Sequence, residues 1–212
     1  MSDFEPRPAE PAAPDAGAPV RKRPKPGERR VQILQALATM LEQPGSERIT
    51  TASLAARLEV SEAALYRHFA SKAQMFEGLI EFIEQSVFSL VNQIAEREPA
   101  GAARAARIVA MLLSFGEKNP GMARVMVGDA LVHENERLQQ RMNLFFDKIE
   151  ATLRQTLREA VATSASATPG LDAQVQASVL TDFAVGRLQR FARSGFRRLP
   201  TENLEASLAK ML

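Results

Sequence analysis

Hydroxyl residues stand about ten residues apart, at Thr50 or Thr51, at Ser61 and at Ser71, and this spacing limits the fold more than any other feature of the chain. A serine or threonine ahead of an apolar, helix-periodic segment is typical of an N-cap, because its oxygen accepts a hydrogen bond from the first turn. Ser71 also begins an S-x-x-Q capping box with Gln74. The predicted helices are two short ones at about 51–57 and 62–68, and a long one at about 72–97. Two short helices joined by a tight turn are typical of a helix-turn-helix motif.

The rest of the chain after Glu28 also has helical periodicity, with apolar residues three and four positions apart, and has no alternating strand pattern of useful length. Pro44-Gly45 should end the first helix, and Asn119 should cap a helix that begins at Pro120. The further predicted helices are 103–115, 131–162, 171–194 and 201–211, with a loop at 163–170. We therefore expect an all-α fold of about nine helices, in which an N-terminal helix-turn-helix DNA-binding domain precedes a helical bundle.

Charge and composition divide the chain into three parts. Residues 1–27 hold seven of the twelve prolines and end in a basic run, which predicts a disordered arm. Residues 21–72 carry ten Lys/Arg against five Glu, whereas residues 73–212 carry sixteen of each sign. A basic block beside a neutral body is typical of a polyanion-binding module, although a solvated basic tail would give the same imbalance. The predicted domains are the arm (1–27), a DNA-binding domain (28–71) and a dimerisation and partner-binding domain (72–212).

The second short helix carries the residues expected to meet DNA. Such a helix enters the major groove, where the small side chain of Ala63 would permit close approach and Tyr66 and Arg67 could donate to phosphates or base edges. The candidate DNA-binding residues are Thr50, Thr51, Ser61, Glu62, Ala63, Tyr66, Arg67, His68 and Lys72. The apolar positions of this segment would also suit any small helical hairpin, so the spacing alone does not decide its function.

The segment "ITTASLAARLEVSEAALYRHFASKAQMF" resembles the DNA-binding domain of TetR-type regulators, which ends in Tyr-x-His-Phe followed by Ser-Lys. Glu59 departs from that pattern, because the family usually has glycine in this turn; we expect a strained backbone there. The segments "GEKNPGMARVMVG" and "RFARSGFRRLPTENLEA" extend the resemblance, over roughly 28–212, to the SlmA-type nucleoid occlusion factors within that family.

This resemblance implies a dimer that binds palindromic chromosomal DNA and also binds the C-terminal tail of the division protein FtsZ. Whether several dimers bind one DNA site is left open. In the family, the tail site is a groove between the fourth and fifth helices. On the long helix, Leu90 belongs by helical arithmetic to the core stripe, whereas Phe82 and Phe88 lie off it. The candidate groove residues are Phe82, Phe88, Lys118 and Asn119. Neighbouring helices could equally cover the two phenylalanines.

The helix at 171–194 is expected to form the dimer interface, because small and large apolar residues recur along it. Pairing of such helices about a two-fold axis would place two recognition helices about 34 Å apart and predicts a palindromic site. The candidate interface residues are Val175, Val179, Phe183, Gly186, Leu188 and Arg190, with Ala184 beside them. Burial of this helix within one subunit is the alternative.

Two other classes of function are considered. A conventional TetR-type repressor would enclose a small apolar effector within 103–190, although Phe145 and Phe146 look large enough to fill that space. An enzyme is not expected, because only His68 and His133 supply imidazoles and no phosphate loop or nucleophile motif is present. His133-Glu134 is interpreted as a solvated helix start. The absence of cysteine fits the cytoplasm, and we expect no cofactor, metal or membrane span.

Overall fold

A computed structural model describes residues 27–43, 49–161 and 168–212. The predicted arm, the Pro44-Gly45 helix end and most of the loop at 163–170 lie outside the described residues. Within the described ranges the chain is helical throughout, which confirms the predicted fold class. The helices are α1 (Glu28–Leu41), α2 (Thr51–Arg57), α3 (Glu62–Tyr66), α4 (Lys72–Arg97), α5 (Ala102–Lys118), α6 (Pro120–Met126), α7 (Glu136–Val161), α8 (Pro169–Arg193) and α9 (Leu204–Met211), with a 3-10 turn at Asp129–Leu131.

Several helix ends differ from the sequence-based expectation; α5 continues to Lys118 rather than to 115, and α9 begins at Leu204 rather than at 201. The helix predicted from 131 begins instead at Glu136, because Gly128 takes a left-handed conformation (φ 79°) and a 3-10 turn follows it. Helix α3 ends at Tyr66, two residues early. The side chain of Asn119 does not cap α6; its Nδ2 donates instead to the carbonyl oxygen of Phe115, 2.8 Å away.

Helix α5 occupies the centre of the body, where it packs against α4, α6, α7 and α8. Ile108, Leu112 and Leu113 on α5 are completely buried. The most extensive packing in the molecule joins α7 to α8, and α4 covers the other side of α5. Each large apolar side chain that is fully buried contributes about 1.5–3 kcal/mol relative to exposure, so this helix bundle supplies most of the stabilising burial.

The turn between α2 and α3 requires a left-handed residue, and Glu59 supplies it with φ 54°. The amide of Glu59 donates to the carbonyl of Ala56 (3.1 Å), and that of Val60 donates to Ala55 (3.0 Å). These two bonds form a Schellman motif, in which glycine is the usual left-handed residue. The expected strain at Glu59 is therefore confirmed, and the turn keeps the helix-turn-helix geometry despite the substitution.

The DNA-binding end is joined to the body by a tight contact between α1 and α6. The guanidinium of Arg124 donates to the carbonyl oxygen of Leu41 at 3.1 Å in a buried position. A Cβ added at Gly121 would lie 2.0 Å from the carbonyl oxygen of Ala38, so the two helices approach here as closely as glycine allows. The position of α1 relative to the body therefore depends on Gly121.

Ion pairs attach the first half of α4 to the beginning of α7. Arg137 pairs with Glu77, and the guanidinium Nη2 of Arg141 lies 2.6 Å from the carboxylate of Glu84. The hydrogen bond with Glu84 raises the pKa of Arg141 above its ordinary value, although partial burial opposes the shift. The pair between Arg141 and Glu84 holds α4 and α7 in register.

Replacement of Gly121 by Ala should lower the free energy of unfolding by about 1–3 kcal/mol, because the new Cβ overlaps the backbone of α1. Gly170→Ala is the matched control: no atom of the described residues lies within 4 Å of its added Cβ, and it should be neutral or mildly stabilising. Chemical denaturation at equal protein concentration measures both. Equal stability of Gly121→Ala and wild type would contradict the close approach of α1 and α6.

Replacement of Glu59 by Gly should raise the free energy of unfolding by about 0.5–1 kcal/mol. Removing the strain of a left-handed backbone conformation at a non-glycine residue contributes about 1–2 kcal/mol. The extra freedom of glycine in the unfolded chain offsets part of this gain. Glu96→Gly, at an exposed position within α4, should instead cost about 1 kcal/mol. Chemical denaturation measures both variants, and a decrease at Glu59 as large as that at Glu96 would show that the turn stores no strain.

Candidate nucleic-acid interface and partner groove

The beginning of α2 is held by a complete capping box at Thr50. Thr50 Oγ1 accepts from the amide of Ser53, and Ser53 Oγ accepts from the amide of Thr50, both at 3.1 Å. Two amide donors that would otherwise be free are thereby satisfied. Thr50 remains exposed while its oxygen positions the helix end.

A chain of hydrogen bonds connects α2 with α3 through three of the candidate residues. Thr51 Oγ1 donates to the carboxylate of Glu62 at 2.6 Å, and Tyr66 Oη donates to Thr51 Oγ1 at 3.4 Å. Glu62 therefore holds the two helices together, because its carboxylate accepts from α2. Tyr66 stays 45% exposed, so its ring lies on the surface.

The outer surface of α3 presents small and polar side chains. Ser61 accepts from the amide of Ala64 at 3.2 Å and caps the helix, and Ala63 and Arg67 are exposed. Only Leu65 of this helix is fully buried. Within the described residues Arg67 forms no ion pair, so its guanidinium is available to an anion. His68 is half-buried.

Lys72 is already paired, which differs from its expected role as an open positive charge at the helix start. Its ammonium lies 2.5 Å from Glu134, whose side chain is only 11% exposed, and 5.7 Å from the ring centre of Phe76. The interpretation of His133-Glu134 as a solvated helix start is wrong, because both residues precede α7 and Glu134 pairs with Lys72. Lys72 thus connects the DNA-binding end to the body.

Arg30 supports α3 and was not identified from the sequence, where it belonged to the basic run of the arm. Its guanidinium donates to the carbonyl oxygen of His68 and lies 4.1 Å from the ring centre of Phe69. This contact satisfies a carbonyl at the end of α3. In the sequence, this contact could have been suspected only from the position of Arg30 in the first turn of an amphipathic helix.

A cleft of about 350 Å³ lies between α4 and α5. It is lined by Leu90, Gln93, Ile94, Arg97, Glu98, Arg107, Ala110, Met111 and Ser114. Leu90 is 36% exposed, so its assignment to the core stripe is wrong; it lies at the edge of the buried face. The cleft joins an apolar floor to arginines at its sides.

The four candidate groove residues have different environments. Phe82 on α4 is 48% exposed, and Lys118 is exposed at the end of α5. Phe88 is half-buried, with its ring edge-on to Phe145 at 5.6 Å between centres, so it belongs partly to the core. Asn119 is half-buried, and its amide is used within the helix connection.

The outward face of α8 is apolar in its first half. Val175 is 54% exposed and Val179 is 47% exposed, while Gly186 has no atom within 4 Å of an added Cβ. Phe183 is half-buried beneath the guanidinium of Arg187, 4.8 Å from its ring centre, and Arg190 is exposed.

Leu188 cannot belong to this outward face. It is 0% exposed, and its side chain lies against Gly116 of α5. Ala184 is buried in the same way. Both positions lie on the opposite side of α8 from Val175, taking about 3.6 residues per turn, and helical arithmetic would have separated them.

No helix among the described residues is long and apolar enough to cross a membrane. Comparison with known families matches both halves of the chain to regulatory proteins. Residues 33–79 match "Bacterial regulatory proteins, tetR family", and residues 100–211 match a SlmA-like "Tetracyclin repressor-like, C-terminal domain".

Curated relatives match over most of their length. The chain is 50% identical to the nucleoid occlusion factor SlmA of Idiomarina loihiensis, over 84% of this chain and 90% of the relative. It is 51% identical to that of Aliivibrio fischeri, over 85% of this chain and 92% of the relative. The Vibrio cholerae relative is 51% identical, over 84% and 90% of the two chains.

Solved structures confirm the fold at low sequence identity. The TetR family regulator PfmR of Thermus thermophilus superposes with a TM-score of 0.68 at 19% identity, covering 86% of this chain and 95% of that one. The regulator FadR of Bacillus subtilis, solved with stearoyl-CoA, gives a TM-score of 0.68 at 16% identity, covering 85% and 96%.

These matches confirm the sequence-based resemblance, including the helix-turn-helix DNA-binding motif and the expectation that the chain is not an enzyme. The match to SlmA relatives covers both the DNA-binding end and the body. The chain belongs to the SlmA family of TetR-type bacterial regulators.

Proposed function

We propose that this protein is a nucleoid occlusion factor. As a homodimer on palindromic chromosomal DNA, it binds the C-terminal tail of FtsZ and blocks Z-ring assembly over the nucleoid. The observation that carries the proposal is the identity of about 50% to curated nucleoid occlusion factors over 84–85% of the chain. A shared DNA-binding motif alone would not support it, because that motif is common to regulators with other functions.

For DNA binding, α3 has the features that a groove-entering helix requires. The major groove is about 12 Å wide and admits one helix. Ser61, Ala63 and Arg67 face outward, whereas Thr51 and Glu62 fix α3 against α2. Thr50, Tyr66 and His68 lie along the flanks, suited to phosphate contacts that position the helix. Lys72 takes a secondary part, because Glu134 already neutralises its charge.

For self-association, the proposal uses the exposed apolar face of α8. Val175 and Val179 would be covered by the second copy, and the open space at Gly186 would permit close helix approach. Phe183 and Arg190 border this face. An isologous contact of this kind generates the two-fold symmetry that a palindromic site reads.

For FtsZ, the proposal uses the cleft between α4 and α5. Leu90 and Met111 give it an apolar floor, and Arg97 and Arg107 lie at its sides, although Glu98 pairs with Arg107. A short peptide with apolar side chains and a carboxylate fits this combination. Phe82 and Lys118, both exposed on the same two helices, extend the surface towards the DNA-binding end.

The alternative of an apolar effector receives little support from the body. Leu112, Leu113 and Phe145, which would have to line its cavity, are completely buried. The ring of Phe145 packs edge-on against both Phe88 and Phe146, at 5.6 and 5.1 Å between centres. We therefore place partner binding at the surface cleft.

Arg67→Ala should weaken binding to a palindromic duplex and leave the dimer intact, because Arg67 is exposed and lies outside the core of the fold. The slope of log K against log salt should become shallower by about 0.9 for each phosphate that the variant no longer neutralises. Tyr66→Ala should also weaken binding. Arg158→Ala, an exposed position in the last turn of α7, is the control. Unchanged affinity and slope in Arg67→Ala would contradict the assignment of α3.

Phe82→Ala should spare DNA binding and weaken binding of an FtsZ tail peptide by about 1–2 kcal/mol, roughly 5- to 30-fold, as removal of an aromatic anchor does. Fluorescence anisotropy of the labelled peptide measures the change. Leu144→Ala removes a similarly exposed apolar side chain from α7 and should leave peptide affinity unchanged. If Phe82→Ala and Leu144→Ala changed peptide affinity equally, the peptide would not bind at the cleft between α4 and α5.

A further inference from the structure

An arginine-rich cleft lies at the end of α8, outside the surfaces assigned above to DNA reading and to FtsZ. It has a volume of about 350 Å³. We call it the arginine cleft; it is lined by Arg187, Arg190, Arg198, Leu199 and Glu202. Three guanidinium groups face one carboxylate, which leaves a net positive charge of two.

The cations of the arginine cleft differ from those of the neighbouring body. Arg124, Arg137 and Arg141 each pair with a carboxylate. Among the described residues, Arg190 and Arg198 form no ion pair. Glu202 is the only carboxylate among the cleft's lining residues, so the excess of like charges repels and a bound anion would stabilise this arrangement.

One wall of the arginine cleft is rigid. The guanidinium of Arg187 donates to the carbonyl oxygen of Glu202 at 2.6 Å and to Ser207 Oγ at 3.0 Å. It also stacks on Phe183. Arg187 is therefore a structural residue that fixes the connection to α9 against α8. Arg190 and Arg198 are exposed; Arg190 also borders the α8 face proposed above for dimerisation, whereas Arg198 is not among the residues of that face.

The turn that leads from α8 to Arg198 is strained. Gly195 (φ 62°) and Phe196 (φ 64°) are both left-handed, which costs about 1–2 kcal/mol at a non-glycine residue. Ser194 Oγ accepts from the amides of Arg197 (3.1 Å) and Arg198 (2.9 Å). Backbone strain of this kind persists where a particular placement is needed, and here it brings Arg198 back beside α8.

Stabilisation of the α8 carboxyl end does not account for these arginines. Arg197 stabilises the carboxyl end of α8, since its Nε donates to the carbonyl oxygen of Ser194 at 2.9 Å. A cation near the last turn of a helix is favourable through the helix dipole, but one group already serves it. The side chains of Arg190 and Arg198 donate to none of the described carbonyl groups.

The arginine cleft lies at the DNA-binding end of the body. Lys72 at the start of α4 pairs with Glu134, so the start of α7 lies beside the helix-turn-helix. Gln139 near that start and Arg193 at the end of α8 line one shallow pocket. Helix α8 therefore runs towards the DNA-binding end. The opposite end is marked by Arg104 and Glu159, 3.9 Å apart.

Symmetry would then bring two arginine clefts together. Two helix-turn-helix motifs can face one duplex only if the two-fold axis runs from the body to the DNA. Because α8 runs in that direction, paired α8 helices would have their equivalent ends adjacent. The two arginine clefts would flank the axis, above the middle of the palindrome. This step rests on the proposed function.

We propose that the arginine cleft is a second phosphate-binding surface for the same DNA duplex. Arg190 and Arg198 contact phosphodiester oxygens between the two half-sites, in addition to the contacts made by α3. Guanidinium groups match phosphate geometry and form charge-assisted hydrogen bonds with it. Such contacts position the protein and add affinity without reading bases.

The test compares the salt dependence of DNA binding in Arg190→Gln, Arg198→Gln and the double variant, with Arg158→Gln as the control at the opposite end of the body. The probe is a palindromic duplex selected by the wild-type protein from random-sequence DNA. Each single substitution removes one phosphate interaction per subunit. The slope of log K against log salt should therefore become less negative by about 1.8 per dimer. Arg158→Gln should keep the wild-type slope. Sedimentation checks that every variant remains a dimer.

If both cleft variants kept the wild-type slope while Arg67→Ala made it shallower, the inference would be wrong and the proposed function would stand. Failure of the wild-type protein to select a palindromic duplex would refute the proposed function itself. Weaker binding of an acidic peptide with an unchanged DNA slope would assign the arginine cleft to a protein partner and overturn the proposal. If Arg190→Gln no longer formed the dimer, Arg198→Gln would still decide the question.

Discussion

Burial of one face of α4 is the constraint on which the rest of the structure depends. Met75, Phe76, Leu79, Ile80 and Ile83 are all buried, and this stripe lies partly under the DNA-binding helices and partly under the body. The same helix packs against α1 at one end and α5 along its length. The two halves of the molecule therefore share a core, and neither can shift far without displacing α4.

The other two faces of α4 make different contacts, one with α7 and one at the cleft with α5. Glu77 and Glu84 attach one side to α7 through arginines, while Phe82 and Leu90 lie exposed on or beside the cleft with α5. Helix α4 begins at Lys72, capped by Ser71, shortly after α3. Under the proposed function, the DNA-reading helix α3 leads directly into α4, and the proposed partner cleft lies along the same α4, which gives a physical route for one contact to influence the other.

Helix periodicity and capping predicted most of the fold, because each helix buries a regular apolar stripe and the N-caps are local. The start of α4 follows from Ser71, and the start of α2 from two adjacent threonines, of which Thr50 is the N-cap. The errors arose where side chains from distant parts of the chain meet. Lys72 is neutralised by Glu134, and Arg30 reaches His68, and no local pattern records such contacts; the burial of Leu188, in contrast, could have been found from its position on the helix. Around the candidate site, the sequence predicted the local geometry best, namely the N-caps and the left-handed turn at Glu59.

The central claim is that one DNA-bound dimer also engages the division machinery. Titration of the protein, first loaded with its palindromic duplex, with a fluorescent FtsZ tail peptide tests it most directly. The account predicts saturable binding of the peptide to the protein–DNA complex, with the duplex still bound at saturation. Absence of peptide binding, or release of the duplex as the peptide binds, would contradict the account and favour an ordinary repressor.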